Sequence, residues 1–240
     1  ESAPGPFVTV HGRRLINCSS NNYLALATHP ALREASARAV AQYGCSAGAS
    51  RLVTGTLPLH VRVEQQLAQF VGAEAALLFS SGYAANVGIV PALAGAGDDI
   101  FSDAHNHASI IDGCRLSRAT VSVYPHSDMM ALERMLARRN APGERIIISE
   151  SLFGMDGDLA PLNELADLAQ RYEAILLIDE AHALGVVGRG GRGDGDACGL
   201  AGRCLLLGTL GKAFGSAGAF VAGPARTIEY LTNSCRSFIY

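Results

Sequence analysis

No block of like charge, no paired-cysteine motif, no apolar run of membrane-spanning length, no internal repeat and no low-complexity linker occurs in these 240 residues. Each absence removes a class of function. The net charge is −3 without a run of one sign, so neither nucleic acid nor an acidic membrane is an expected bulk partner. Six cysteines (Cys18, Cys45, Cys114, Cys198, Cys204, Cys235) show no C-x-x-C pair and no metal-ligand spacing. That fits reduced thiols and a cytoplasmic location better than a disulfide framework. Neither a signal-peptide pattern nor a transmembrane-length segment is seen, so no membrane partner is expected. Arg138 and Arg139, near a helix end, read as a solvated patch. The chain starts in mid-phrase and ends on Phe238-Ile239-Tyr240, so both ends of a longer protein are expected to be missing.

What is present is enough apolar residue, 49%, to build a sizeable core. Phe7 to Ile16 alternates and turns at His11-Gly12, which predicts a hairpin. Pro30 opens a helix that Gly44 closes, and a second helix is predicted from about Leu59 to Val71. Residues 1–57 form one expected unit of hairpin, helix and glycine-rich loop. From 58 to 240 a strand–helix alternation begins. Strands are predicted at Ala75–Phe79, Ile100–Phe101, Thr120–Tyr124, Arg145–Ser149, Ala174–Ile178, Leu205–Leu207 and Ala219–Ala222, with helices between most of them. This is an α/β domain with a mostly parallel sheet covered on both faces. In such sheets ligands bind beyond the carboxyl ends of the strands.

Candidate chemistry clusters at those ends. Lys212 sits on a glycine-rich turn after the Leu205–Leu207 strand, where partial desolvation would lower its pKa and make a Schiff-base amine; a solvated surface lysine is the bland reading. Asp179 follows a buried strand, as a cap or salt-bridge partner, or as the partner of a protonated pyridine nitrogen. His182 lies three residues on, either a satisfied core group or a second pocket residue. Asp179-Glu180-Ala181-His182 spells a helicase tetrad, but Leu206 and Ala213 stand where a phosphate-binding P-loop before and after Gly211-Lys212 would need glycine and a hydroxyl residue. Ser80-Ser81-Gly82-Tyr83 opens a helix, as a plain N-cap or as a phosphate cradle to which Thr209 adds a hydroxyl. His105-Asn106-His107 offers an imidazole to stack on a flat ring; no cysteine or carboxylate cluster completes a metal site. A phosphate cradle, a carboxylate, a stacking imidazole and an amine nucleophile together describe a pyridoxal 5'-phosphate site.

These residues resemble a known family. Ser19-Ser20-Asn21-Asn22-Tyr23-Leu24, Ser81-Gly82-Tyr83-Ala84-Ala85-Asn86, Ser102-Asp103-Ala104-His105-Asn106-His107-Ala108-Ser109, Met155-Asp156-Gly157-Asp158-Leu159-Ala160-Pro161-Leu162, Asp179-Glu180-Ala181-His182 and Thr209-Leu210-Gly211-Lys212 are similar to the α-oxoamine synthases, pyridoxal-phosphate enzymes with the aspartate-aminotransferase type fold. The resemblance covers essentially the whole chain. It implies the large domain of that fold, with a small C-terminal domain outside this sequence. Lys212, His107 and Asp179 would be catalytic: Lys212 carries the cofactor and moves protons, His107 stacks on the ring and helps to position substrate, and Asp179 keeps the ring nitrogen protonated. Gly82, Tyr83, His182 and Thr209 would also hold cofactor, Asn21 would lie near the substrate carboxylate, and Glu150 beside the pocket. The implied reaction is a decarboxylative condensation of an amino acid, L-alanine first, with an acyl thioester, a pimeloyl group on CoA or on acyl-carrier protein. The alternatives are glycine with acetyl-CoA, or a non-catalytic dimerising relative. A homodimer with sites at the subunit interface is expected. One departure stands out: Gly154 stands where many relatives carry serine.

Overall fold

The internal strands of this chain are apolar at successive residues because both faces of their sheet are covered. The computed structural model describes residues 2–138, 142–200 and 202–240; Arg139 lies outside them, and Arg138 is exposed. In chain order the strands are β1 (Phe7–Val10), β2 (Arg13–Ile16), β3 (Ala75–Phe79), β4 (Asp99–Asp103), β5 (Thr120–Tyr124), β6 (Arg145–Glu150), β7 (Ile175–Asp179), β8 (Leu205–Thr209) and β9 (Ala219–Gly223). The helices are α1 (Pro30–Tyr43), α2 (Pro58–Val71), α3 (Gly82–Leu93), α4 (Ala108–Leu116), α5 (Met129–Arg138), α6 (Leu162–Arg171), α7 (Asp194–Ala197), α8 (Ala225–Ser234) and α9 (Arg236–Ile239).

Strands β1 and β2 pair only with each other, as the hairpin expected. The other seven form one sheet in the order β3-β9-β8-β7-β6-β4-β5. Only β9 runs antiparallel to its neighbours, β3 and β8. Successive residues therefore serve opposite layers. Ile147, Leu176, Leu206 and Phe220 pack in a cluster with Leu67, Leu132, Leu136 and Leu165 of α2, α5 and α6. Ile146, Ile148, Leu177, Leu207 and Val221 pack in a second cluster with Ile89, Ile110 and Leu231 of α3, α4 and α8. Among the described residues no helix is long and apolar enough to cross a membrane.

The strand ends differ from the sequence expectation in ways that matter for chemistry. β4 continues to Asp103, because Ser102 accepts a hydrogen bond from Asn106 Nδ2 and Asp103 accepts from the His105 and Ser127 backbones. Their polar side chains are thus satisfied inside the edge of the sheet. β7 ends on Asp179 itself, and β8 runs two residues further, since Gly208 and Thr209 pair with Phe220 and Ala219 of β9. α1 and α2 begin at Pro30 and Pro58 and stop at Gly44 and Gly72, as proline-first, glycine-last signals dictate. α3 and α4 lie close together because Gly113 has no side chain: a Cβ there would stand 2.7 Å from the Asn86 carbonyl oxygen. That close approach brings Asn86 of α3 beside Ser109 of α4.

Candidate active site

Parallel alignment places the carboxyl ends of β3, β8, β7, β6, β4 and β5 along one edge of the sheet. The loops leaving them converge on a cleft of about 180 Å³ lined by Gly82, Tyr83, Asn86, His107, Ser109, Glu150, Asp179, Ala181, His182, Thr209 and Lys212. All of the expected cofactor and catalytic residues are in that wall. Asn21 is not: it reaches the site only through Tyr23, whose hydroxyl donates to Asn21 Oδ1 at 3.2 Å.

Lys212 lies on the turn between β8 and β9. That turn is tied by Leu210 N–H to Gly218 O, Gly215 N–H to Lys212 O and Ser216 N–H to Leu210 O. Burial lowers the Lys212 pKa, against an opposing pull from the Asp179 and Glu150 carboxylates. Its Nζ stands 2.7 Å from His182 Nε2. Burial, then the Lys212 charge, then His107, hold the His182 pKa down at about 4, so the ring is neutral at physiological pH.

Asp179 is buried, 6% exposed. Its Oδ2 accepts from Asn86 Nδ2 at 2.9 Å and its Oδ1 from the Ala181 N–H at 2.9 Å. Among the described residues no cation lies within ion-pair distance of it. Glu150, one strand away, takes the His107 N–H at 2.7 Å. Burial, then the Asp179 charge, push Glu150 up to about 7. His107 is the N-cap of α4; its Nδ1 lies 2.8 Å from Ser109 Oγ, which fixes the ring against the cleft. Ser81 is the N-cap of α3, accepting from Ala84 N–H, so the plain capping role of that serine holds; the first-turn N–H groups of Gly82 and Tyr83 have no acceptor within a helix. Thr209 Oγ1 accepts from Gly211 N–H and donates to Gly218 O, each at 3.2 Å.

The residues present fit pyridoxal phosphate. A half-buried lysine whose ammonium form burial disfavours suits an aldehyde. A buried carboxylate with no ion pair among the described residues suits a protonated ring nitrogen. Two unpaired amides at a helix start suit a phosphate. Asn86, Ser109 and Tyr23 complete the site; the sequence placed them in the resembling motifs but assigned them no role. Asn86 could have been found from its spacing, since it lies one helical turn after Gly82. Tyr23 could not, because its partner is 159 positions away.

His105 does not face the cleft. Its ring stacks on His126, centroids 4.0 Å apart, and its Nδ1 meets Asp156 at 2.9 Å. His126 bridges buried Asp103 (2.9 Å) and Asp158 (2.8 Å), so it ties the loop after β6 to the ends of β4 and β5. Burial alone would lower the His126 pKa; the hydrogen bonds to Asp103 and Asp158 overcome it and raise the pKa. The hydrogen bond from His126 lowers that of Asp158. The stabilisation from the histidine is therefore full below the ordinary imidazole value and is lost as pH rises through the raised one. That from the aspartate is full above the ordinary carboxylate value and is lost as pH falls through the lowered one. His126→Gln is expected to cost about 0.5–1 kcal/mol near pH 5.5, or about 1–4 °C in Tm, and less at pH 8.5. Thermal melts of both proteins at the two pH values measure this; an equal loss at both would remove the ionic account.

The aminotransferase class I and II family profile matches residues 13–240. An 8-amino-7-oxononanoate synthase of Geobacter sulfurreducens is 53% identical over 98% of this chain and 61% of that protein. One from Lysinibacillus sphaericus is 47% identical over 97% of this chain and 60% of its own length. The chain thus spans about three fifths of the length of the curated relatives it matches. Among solved structures, serine palmitoyltransferase from S. paucimobilis, with PLP bound, superposes with a TM-score of 0.96 at 34% identity, covering all of this chain and 61% of that one. An 8-amino-7-oxononanoate synthase from Francisella tularensis gives 0.78 at 31% identity, over 92% of this chain and 62% of the other.

Proposed function

The chain belongs to the aminotransferase class I and II family and, within it, to the α-oxoamine synthases; from that membership we propose that it is the cofactor-binding part of a pyridoxal-phosphate-dependent acyltransferase. The reaction joins L-alanine to a pimeloyl thioester, on CoA or acyl-carrier protein. It releases carbon dioxide and the thiol and leaves 8-amino-7-oxononanoate. What supports the substrate choice is identity near 50% to relatives of that name. What carries the chemistry is Lys212 and buried Asp179, with no ion pair among the described residues, in one cleft.

Bound there, pyridoxal phosphate supplies an aldehyde that captures amines and a ring that accepts the electron pair left when the α-proton departs. Gly82 and Tyr83 N–H would hold its phosphate, joined by the Thr209 hydroxyl once its proton turns away from Gly218 O, with Asp179 at its ring nitrogen, His107 at its face and His182 at its ring hydroxyl. Lys212 Nζ, less basic than an exposed lysine, takes the α-proton and returns it to carbon. Asp179 accepts from Asn86 Nδ2 and the Ala181 N–H, which fixes its carboxylate in the cleft. Glu150 holds the His107 backbone and so the ring stack. Asn21 would approach the substrate carboxylate from beyond Tyr23. The same reading includes a homodimer with sites at the subunit interface and a cytoplasmic location. Exposed Phe7 and Ile16 on the β1–β2 hairpin favour a covering surface.

The test is turnover by the purified full-length protein with pyridoxal phosphate. Alanine with pimeloyl-CoA should give the amino ketone at a far higher kcat/KM than glycine with acetyl-CoA. A preference for the second pair would overturn the substrate assignment. No pyridoxyl label at position 212 after borohydride reduction would overturn the chemistry.

A further inference from the structure

His182 sits in a directed chain of hydrogen bonds that the reaction above does not explain. Its Nε2 is 2.7 Å from Lys212 Nζ and its Nδ1 is 2.7 Å from the Tyr23 hydroxyl. A neutral imidazole carries one proton, so one nitrogen donates and the other accepts. Which one is settled two residues away. The Tyr23 hydroxyl has a single proton, and it is given to Asn21 Oδ1, a carbonyl oxygen that can only accept. Tyr23 must then accept from His182, which puts the imidazole proton on Nδ1 and leaves Nε2 to accept from Lys212.

The ring has this place because residue 154 is glycine. A Cβ at Gly154 would run into His182 at Nε2, Cε1 and Cδ2 together. These are atoms of a rigid ring held at both nitrogens, so any side chain there moves the imidazole off Lys212. The position that breaks the family pattern is the position against which His182 rests.

We propose that Asn21 and Tyr23 are positioning residues that set the Nδ1–H tautomer of His182, and that Gly154 makes room for the ring to accept a hydrogen bond from Lys212 Nζ. The consequence for chemistry rests on Lys212 being the cofactor lysine, as read above. In its neutral form, by donating to Nε2, Lys212 does not spend its lone pair accepting from the imidazole. That pair stays available for carbon or for a proton. The opposite tautomer would place an N–H against the amine and occupy the pair.

The test is the nitrogen-15 spectrum of the histidine side chains in the purified full-length protein at pH 7, before and after addition of pyridoxal phosphate. In the protein without added cofactor, His182 is expected to show a protonated Nδ1 and an unprotonated Nε2. Tyr23→Phe, which removes the acceptor but keeps the ring, should draw both resonances to exchange-averaged positions. Asn21→Ala frees the Tyr23 proton to turn toward Nδ1 and should invert the tautomer. Gly154→Ala should abolish the His182–Lys212 contact seen in nuclear Overhauser spectra. A wild-type Nε2–H, or a Tyr23→Phe spectrum equal to wild type, overturns the proposal. The wild-type spectrum decides even if a variant fails to fold. Cofactor binding is read separately from visible absorbance, so a colourless protein with the expected tautomer would sink the functional reading and not this one.

Discussion

Lys212→Ala is expected to lower kcat at least ~10⁴-fold, equivalent to about 5–6 kcal/mol of barrier, with the fold retained. The loss is large because one nitrogen has two tasks, covalent capture of the cofactor and carriage of the α-proton, and nothing else in the cleft can take both. His182, held near pH 4 by burial and by the lysine, is a weak base; Glu150 is bonded to the His107 backbone. The fold should survive because removing a half-buried cation relieves desolvation rather than opening a core cavity. Two side effects carry fixed signs. Lys212 depresses the His182 pKa, so His182 should rise in the variant; it also lowers that of Glu150, so Glu150 should rise from about 7. Steady-state kinetics, a thermal melt and titrations of His182 and Glu150 measure all four. Retention of turnover within tenfold would show that the acting base lies elsewhere.

Asp179→Asn is expected to lower kcat roughly 10³-fold, about 4 kcal/mol, with a smaller change in KM. The substitution keeps the shape and deletes the charge. Both carboxylate oxygens accept from N–H donors, so the new amide presents one donor to a donor. Asn86 turning over would pair the two side chains but would put its Nδ2 where Oδ1 now lies buried without a partner. The expected destabilisation is therefore about 1–3 kcal/mol, that of one unsatisfied buried group. The electrostatic signature is separate from kinetics. Asp179 pushes Glu150 up and Lys212 up, so in the variant Glu150 should titrate below about 7 and Lys212 lower than in wild type. Near-normal turnover, with those shifts observed, would mean that the ring nitrogen needs no anionic partner here.

The two variants probe residues that were visible in the sequence for a simple reason. Lys212, Asp179, His107 and Gly82 each stand at the point where an apolar run gives way to a loop, and in a parallel sheet such points share one edge. Strand–helix alternation, proline starts and glycine stops are local signals, and α1 to α6 with the strands between them follow from them. α7 to α9 go beyond that expectation. The antiparallel insertion of β9 between β3 and β8 also had no local mark, because Ala219–Gly223 reads as a buried strand in either direction.

The identities and order of the reactive groups, and the layer that carries them, are written in the chain alone, since apolar periodicity and turn chemistry act over a few residues. Which of those groups touch is not. Whether His105 or His107 faces the cleft, how Asn86 comes to donate to Asp179, and how Tyr23 comes to hold His182 depend on packing between segments far apart in the chain. Hydrogen-bond direction and desolvation exist only once those segments have met, so the charge state of Lys212 and the proton position on His182 are properties of the folded molecule.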